Sequence, residues 1–509
     1  MLIFSFLIVA FGQAIYHPII ATCAALFGYA LFWWCLSKVR YRFLTAFAWG
    51  SAVAAVQLFW LATPHYQGAF IVLAYALLVF GLGAIFACFA KCVNHRTLSK
   101  VHGCFALAGL WALIEWGRLY FLCGYAWNPV GLSLGATLYG RQMASISGVL
   151  GLSFAVMAIN FLAARVLILK SWRGAGVWAL AALAPFVFGA MQVQEHPSAY
   201  KRALLIQTGL FPHQKYPFAF SLDDFIDIET QWDIALAHLQ KCDWIIFPES
   251  AFPFGARNHV MSQEQVANLL TRHLKEPVSR RPFWSNSDIA QEIALLTGSE
   301  VIVGLDDQEG EHMYNAAFHF SKFAQPTRFE KQRLLPVAEE IPFRWLKGIA
   351  KRYGIEDSFT RGQGMPVAGE VPLSVSICYD ECFSSLVRQG RTGGAQLLVN
   401  LTNDAWYPHT LLNKVQYEHG RLRAVENGVP LLRACNTGVS AAIDCYGREL
   451  GSIESEEAGS LLVDVPLHNY KTLYSSFGDA PLISLCLLLG LTYILRCLKK
   501  YESATLVEG

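Results

Sequence analysis

Three residues stand where strands would end and loops begin: Glu249 in DWIIFPES (243–250), Lys331 in RFEKQRLLP (328–336) and Cys378 in LSVSICYD (373–380). A thiolate is a strong nucleophile, but a free thiol with a pKa of about 8.5 is only slightly ionised at neutral pH. A carboxylate within hydrogen-bond reach can take its proton, and a lysine can hold negative charge on the sulfur and on a developing oxyanion. Glu, Lys and Cys together are a complete set of groups for acyl transfer. Taken singly, each has a plainer reading: a packed core thiol for Cys378, a loop charge or helix cap for Glu249, and a solvated face for Lys331 among Arg328, Glu330 and Arg333. Cys382 is a second thiol in the same stretch, SICYDECF (376–383).

The elements that must position these groups are short apolar runs between about 203 and 467: ALLIQ (203–207), DWIIFPES, VIVGLDD (301–307), NAAFHF (315–320), LSVSICYD, QLLVNLTND (396–404) and PLLRACN (430–436). Continuous apolar runs of this kind suit strands covered on both faces. Helical segments lie between them, notably 414–427 before the turn at Gly428. The class expected is an α/β sandwich.

The remainder is far more apolar. Over 509 residues the chain is 54% hydrophobic and only 15% charged, too apolar for a wholly soluble protein. The excess lies in 1–195 and again in 478–498, giving three parts: an amino-terminal transmembrane bundle of about seven helices (1–195), an extramembrane domain (203–467) and a closing transmembrane helix (478–498). Spans are expected near 2–16, 18–36, 44–63, 68–90, 101–122, 143–164, 175–192 and 480–496, with 1–36 readable as one span or two. Lys and Arg collect after alternate spans: Lys38, Arg40 and Arg42; Lys91, Arg96 and Lys100; Arg165, Lys170 and Arg173; Arg496, Lys499 and Lys500. Short cytoplasmic loops gather such charge, so both termini are expected inside and the globular segment outside.

A net charge of +2 with no basic run gives no sign of nucleic acid. No cysteine or histidine cluster has metal-ligand spacing, so no metal and no cofactor are expected. Five of the thirteen cysteines fall in the outer segment (Cys242, Cys378, Cys382, Cys435 and Cys445), an odd number that leaves at least one unpaired within the chain.

Ordered motifs then carry a resemblance: FPES, YNAA (314–317), KQRLLPVAEEIP (331–342), SFTRG (358–362), ICYD, NLTNDAWY (400–407) and RLRAVENGVPLLRACNTGVSA (421–441), with EWGRLYFLCGYAWNPVG (115–131) and GDAPL (478–482) outside the domain. The domain resembles the nitrilase superfamily, and the chain as a whole is similar to the bacterial apolipoprotein N-acyltransferase family. The resemblance implies an αββα sandwich with Glu249 as general base, Lys331 as oxyanion stabiliser and Cys378 as nucleophile. It also implies a further carboxylate at Glu339, an essential tyrosine at Tyr379, a loop near the membrane surface around Trp127, and a structural part for Cys382. Two positions depart from the family: Asp380 where it commonly has Glu, and Tyr216, in QTGLFPHQKYPF (207–218), where it has Trp.

The implied reaction moves an acyl chain from a phospholipid, typically phosphatidylethanolamine, to Cys378 as a thioester. The α-amino group of an S-diacylglyceryl cysteine, at the amino terminus of a diacylated apolipoprotein, then takes it up. The setting implied is the bacterial inner membrane with the domain on the periplasmic face. Trp116, Tyr120, Tyr125 and Trp127 suit an interfacial aromatic belt, and Gly362–Gly364 and Tyr407–Thr410 are candidate lid segments that would keep water from a thioester. The competing readings are a membrane-tethered amidohydrolase or phospholipase, with water as second nucleophile, and a catalytically silent lipid-binding protein. A transporter fits least, since few ionisable residues lie within the spans, Glu115 and Arg118 near a span end being the exceptions.

Overall fold

In a computed structural model of the protein, the described residues are 1–121, 124–195, 199–218, 222–336, 338–341 and 359–505, with side chains described to 496. Leu122, Cys123, Val337, Pro342 and Ser358 of the quoted motifs lie outside them. The chain divides into two units, one of residues 1–121, 125–194 and 472–509, the other of 122–124 and 195–471.

The first unit is helical. Four of its helices are long and apolar enough to cross a membrane: Pro18–Leu36, Phe70–Cys92, Ala144–Leu169 and Trp172–Gln192. Arg42–Gln57 and Phe59–Gln67, bent by 61°, make a fifth if they count as one span. The expected span at 2–16 is instead a nine-residue helix, Leu2–Ala10, which rises only about 14 Å against a hydrocarbon core of about 30 Å. Val101–Arg118 falls outside the four because His102, Glu115 and Arg118 dilute its apolar run. Ala480–Thr505 is apolar over Ala480–Arg496. Leu73, Leu77, Phe80, Leu180, Leu183 and Val187 are exposed on these helices, as a lipid-facing surface requires.

Two buried polar side chains of this unit carry hydrogen bonds that tie its segments together, the more valuable where water is scarce. Asn160 donates to the carbonyls of Ala24, Ala25 and Val156 at 3.2, 2.7 and 2.9 Å and accepts from the Ala30 N–H at 3.0 Å. It thereby holds the π-helical turn Ala24–Gly28 that interrupts the Pro18–Leu36 span. Glu115 accepts from the Trp111 indole and the Val130 N–H, both at 2.9 Å, with Arg118 3.6 Å away. Helix Ala144–Leu169 breaks at Gly148, whose φ of +66° places its Cα against the Tyr474 ring; a Cβ there would lie 2.5 Å from that ring.

The second unit is built on two sheets. The first runs β13-β1-β2-β5-β6-β7, with β1 (Tyr200–Gln207), β2 (Trp244–Ile246), β5 (Glu300–Glu309), β6 (His312–Phe320), β7 (Thr327–Glu330) and β13 (Gly459–Pro466). The second runs β12-β11-β10-β9-β8, with β8 (Leu373–Ile377), β9 (Leu397–Thr402), β10 (Leu431–Cys435), β11 (Ser440–Ile443) and β12 (Glu449–Ile453). A separate pair joins β3 (His259–Ser262) and β4 (Phe283–Ser285). Strands β1, β2 and β5 run parallel, as do β8, β9 and β10.

The period of two along each strand sorts residues between layers. Ala203 and Leu205 of β1 join Trp244, Ile246 and Ile302 in packing against Val375, Ile377, Val399 and Leu401 of the other sheet. Leu204 and Ile206 face the other way, into a layer with helices Ile228–Leu236, Gln263–Leu274 and Asn286–Thr297. Helix Leu412–Asn427 covers the outer face of the second sheet, where Leu398, Leu431 and Ile443 meet Ala424. The order is helix, sheet, sheet, helix: the αββα sandwich. Helix Leu412–Asn427 ends at Gly428 with φ +62°, the left-handed cap its sequence anticipates.

Candidate active site

β7 ends at Glu330, which puts Lys331 at the sheet margin. Its carbonyl accepts from the Gly362 N–H at 2.8 Å and its own N–H donates to the Asn315 carbonyl at 2.9 Å. The ammonium, 1% exposed, donates to Glu249 Oε1 at 3.0 Å and Glu339 Oε1 at 2.7 Å. Burial works against a charge on Lys331, but its neighbours Cys378, Glu249 and Glu339 outweigh it and push the pKa well above the ordinary lysine value.

Glu249 follows β2 by three residues and is itself buried. Asn315 Nδ2 donates to the same Oε1 at 2.6 Å, and Oε2 accepts no hydrogen bond among the described residues. The backbone here presses on β5: Gly304 donates to the Pro248 carbonyl at 3.1 Å and accepts from Ala251 at 2.7 Å. A Cβ on Gly304 would lie 2.6 Å from the Glu249 Cα.

Cys378 comes directly after β8 and opens the 3₁₀ helix Cys378–Cys382. Its φ of +50° is a left-handed conformation that a non-glycine residue adopts only when its surroundings enforce it. Asp380 supplies much of that enforcement. Its carboxylate accepts from the N–H groups of Arg333 at 2.7 Å, Gln332 at 3.2 Å and Ile377 at 3.3 Å. One side chain thus ties the residue before the thiol to the two residues after Lys331. Burial pushes the Asp380 carboxyl up to about 7, against the pull of those N–H groups and Lys331.

Burial, then Glu249, raises the Cys378 thiol well above its ordinary value, with Lys331 opposing. The resting group is therefore a thiol that needs a base, not a preformed thiolate. Gln416 Nε2 donates to its sulfur at 3.7 Å. The other candidate thiol, Cys382, has Glu381, Arg423 and Arg433 as its nearest charges rather than Glu249 and Lys331. All five cysteines of the segment are free.

The structure brings Glu249, Lys331, Glu339 and Cys378 together, and sets Tyr216 and Tyr379 around them in the same unit. Tyr216 lies beside Ser250, whose Oγ donates to Asp306 at 2.7 Å. Tyr379 is buried edge-on to Phe383 and donates to the Gly124 carbonyl at 3.0 Å. Glu339 is held by the Leu335 N–H, 2.8 Å from Oε2. Trp127 lies in the helical unit, buried edge-on against Trp60 at 5.0 Å, a packing residue and not an exposed belt residue.

Neither candidate lid is loosely attached here. Gly362 donates to Lys331, and Gln332 Nε2 reaches the Gly364 carbonyl at 2.5 Å. The Tyr407–Thr410 turn is closed by Thr410 Oγ1 on the Tyr407 carbonyl at 2.8 Å and tied to Glu456 through His409.

Several residues of the site escaped the sequence reading. Asn315 and Asn436 sat inside quoted motifs, and Lys215 precedes Tyr216, but an amide or an isolated lysine has no spacing signature. Asp404, in NLTNDAWY, lies two residues beyond β9, beside the strand that delivers Cys378. Both its oxygens are buried without a hydrogen bond. Among the described residues no group of three or more His, Cys, Asp or Glu could hold a metal ion.

The carbon-nitrogen hydrolase family model matches residues 219–474, and the model of the apolipoprotein N-acyltransferase amino-terminal domain matches 9–162. Among solved structures, an amidase from Nesterenkonia sp. is 22% identical with a TM-score of 0.36, covering 57% of this chain and 98% of its own. A CN-hydrolase superfamily protein from Xanthomonas campestris is 15% identical with a TM-score of 0.35, covering 52% and 91%. The apolipoprotein N-acyltransferase of Chlamydia pneumoniae is 31% identical over 518 residues, 94% of this chain and 94% of that protein. Its counterpart in Bradyrhizobium diazoefficiens is 28% identical over 76% of this chain and 72% of its own length. With relatives of that identity running through both the helical unit and the sandwich that holds Cys378, the chain belongs to the apolipoprotein N-acyltransferase family and is a membrane acyltransferase.

Proposed function

We propose that this protein takes an acyl chain from a phospholipid, phosphatidylethanolamine being the natural donor, and passes it through a thioester on Cys378 to the α-amino group of the S-diacylglyceryl cysteine of an apolipoprotein. The observation that carries the reading is the buried triad geometry: Lys331 within 3.0 Å of Glu249 and 2.7 Å of Glu339, with Cys378 close enough to couple to that lysine.

Each step uses one atom left free by that geometry. Glu249 Oε1 is occupied by Lys331 and Asn315, so Oε2 takes the thiol proton as sulfur attacks the ester carbonyl carbon. The carbonyl oxygen becomes an oxyanion. Two of the three Lys331 N–H bonds are spent on carboxylates, and the third donates to this oxygen. Collapse expels the lysophospholipid alkoxide, which Glu249 reprotonates, leaving the thioester. In the second half Glu249 accepts a proton from the incoming amine as its nitrogen attacks the thioester. Cys378 departs as thiolate and regains that proton, releasing the N-acylated product. Metal is needed at no point, since Lys331 supplies the positive charge.

Both substrates are anchored in the bilayer. Exposing an acyl chain to water costs about 0.8 kcal/mol per CH2, which accounts for a helical unit on the same chain. The sandwich is assigned to the outer face of the inner membrane, and both termini to the cytoplasm.

The test is intact-mass spectrometry of purified protein incubated with phosphatidylethanolamine. Wild type should gain one hydroxylamine-labile acyl group on Cys378 and lose it to a diacylglyceryl peptide amine, while Cys378→Ser gains no thioester. Free fatty acid in place of acylated peptide would mark a hydrolase, and function retained in Cys378→Ala a silent homologue.

A further inference from the structure

We propose that Lys215 is a positioning residue for acyl transfer, acting on Glu249 through Asn436. The proposal rests on the reading of Glu249 as the base and extends it to the network that holds that residue in place.

Asn436 follows β10 and is fully buried. Its backbone N–H donates to the Thr402 carbonyl at 3.1 Å and its carbonyl accepts from the Gly209 N–H at 2.8 Å. Its side chain spans the same junction. Nδ2 donates to the Glu249 carbonyl at 2.8 Å, and Oδ1 accepts from Lys215 Nζ at 2.9 Å and Thr208 Oγ1 at 3.1 Å. One residue therefore joins the ends of β1, β9 and β10 to the segment after β2 that carries Glu249.

An Asn amide is nearly the same shape either way round, so its partners decide which end faces Glu249. The Thr208 hydroxyl can donate or accept and cannot decide it. As an ammonium, lysine has only donors, and although burial lowers the Lys215 pKa to about 7, the Glu249 carbonyl at the other end of the amide can only accept. With Nζ at 2.9 Å the oxygen must face Lys215, which turns Nδ2 toward the Glu249 carbonyl. The reversed amide would oppose two acceptors at Glu249 and two donors at Lys215.

Burying this lysine at 1% exposure is costly. Asp306 and Glu249 act on it only at a distance, and Asn436 is its sole side-chain hydrogen-bond partner among the described residues. The oriented amide is what the buried amine accomplishes. With Gly304 pressing on Glu249 from β5 and Asn436 holding its carbonyl, the base is located from two sides.

The experiment measures acyl-Cys378 formation by quenched intact mass against time and phosphatidylethanolamine concentration, for wild type, Lys215→Met, Asn436→Asp, Thr208→Val and the Lys215→Met/Asn436→Asp double variant. Lys215→Met should lower the maximal acylation rate about tenfold to a hundredfold, the scale of a misplaced reacting group, with the half-saturating lipid concentration within about twofold of wild type. Asn436→Asp can accept from Lys215 but cannot donate to Glu249, and should fall as far. The double variant should fall no further than the worse single one, because both break one path. Thr208→Val, which keeps the Lys215 bond to Asn436, should fall less than Lys215→Met.

A wild-type rate in Lys215→Met, or a double variant showing the product of the two losses, overturns the proposal. If Lys215→Met does not fold, Asn436→Asp decides alone, and a wild-type rate there overturns it. A wild type that forms no acyl-Cys378 removes the acyl-enzyme reading itself; an adduct formed equally fast by the variants removes only the part given to Lys215.

Discussion

Asp404 shows at the level of one residue how the sandwich stores electrostatic cost beside the reacting groups. Burial pushes its carboxyl up to about 7, with Arg433 pulling the other way, and its charge helps keep the Cys378 thiol protonated. In the unfolded chain Asp404 loses its proton near pH 4, whereas the folded protein keeps it to about 7. Between those values the folded state binds the additional proton, so this stabilising contribution is full at low pH and fades as pH rises toward 7. Asp404→Asn cannot ionise and should gain on wild type by about 1 kcal/mol or more between about pH 4.5 and 7, roughly 2–4 °C in Tm. Paired melting curves in detergent at the two pH values read this directly. A Tm difference that does not change with pH would mean that Asp404 is ionised in the folded protein throughout.

At the level of elements, the site depends on how closely two neighbouring strands approach. β2 and β5 run parallel, and the chain beyond β2 crosses Gly304 so tightly that a Cβ there would sit 2.5 Å from the Pro248 oxygen. Gly304→Ala must therefore displace Glu249 or β5. The substitution should cost about 1–3 kcal/mol of stability and slow acyl-enzyme formation at least about tenfold, measured by thermal unfolding and by quenched intact mass. An alanine variant with wild-type acylation kinetics would show that Glu249 tolerates the shift. Of the strands absent from the sequence reading, which also include β11 and β13, three are instructive. β12 has no fully buried residue, and β3 and β4 are only four and three residues long. Such strands owe their existence to a partner and lack the apolar run that marks β8, β9 and β10.

At the level of the whole molecule, the apolar excess of the composition appears as exposed leucines, valines and phenylalanines on the helical unit. Among the described residues four or five helices meet the length and apolarity of a span; Leu2–Ala10 stops early, Val101–Arg118 carries buried Glu115, and Ala480–Arg496 is a shorter apolar helix. The proposed topology has a direct check. Alkaline phosphatase fused after Lys471 should be active, and a fluorescent reporter fused after Thr505 should fluoresce, placing the sandwich outside and the carboxyl terminus inside. The opposite pattern would reverse the assigned orientation.

The sequence by itself determined the two-part character of the chain and the sandwich class, and its ordered motifs singled out Glu249, Lys331 and Cys378 as candidates. Those features are local: apolar runs declare buried strands, and short ordered motifs stand out against them. What only the tertiary structure decided is how the three groups are held. The left-handed turn at Cys378, the carboxylate of Asp380 bridging two loops, the close pass of Gly304 and the Lys215–Asn436–Glu249 path all join residues distant in the chain. Their partners are backbone N–H and carbonyl groups, which every residue possesses, so sequence cannot say which of them will meet.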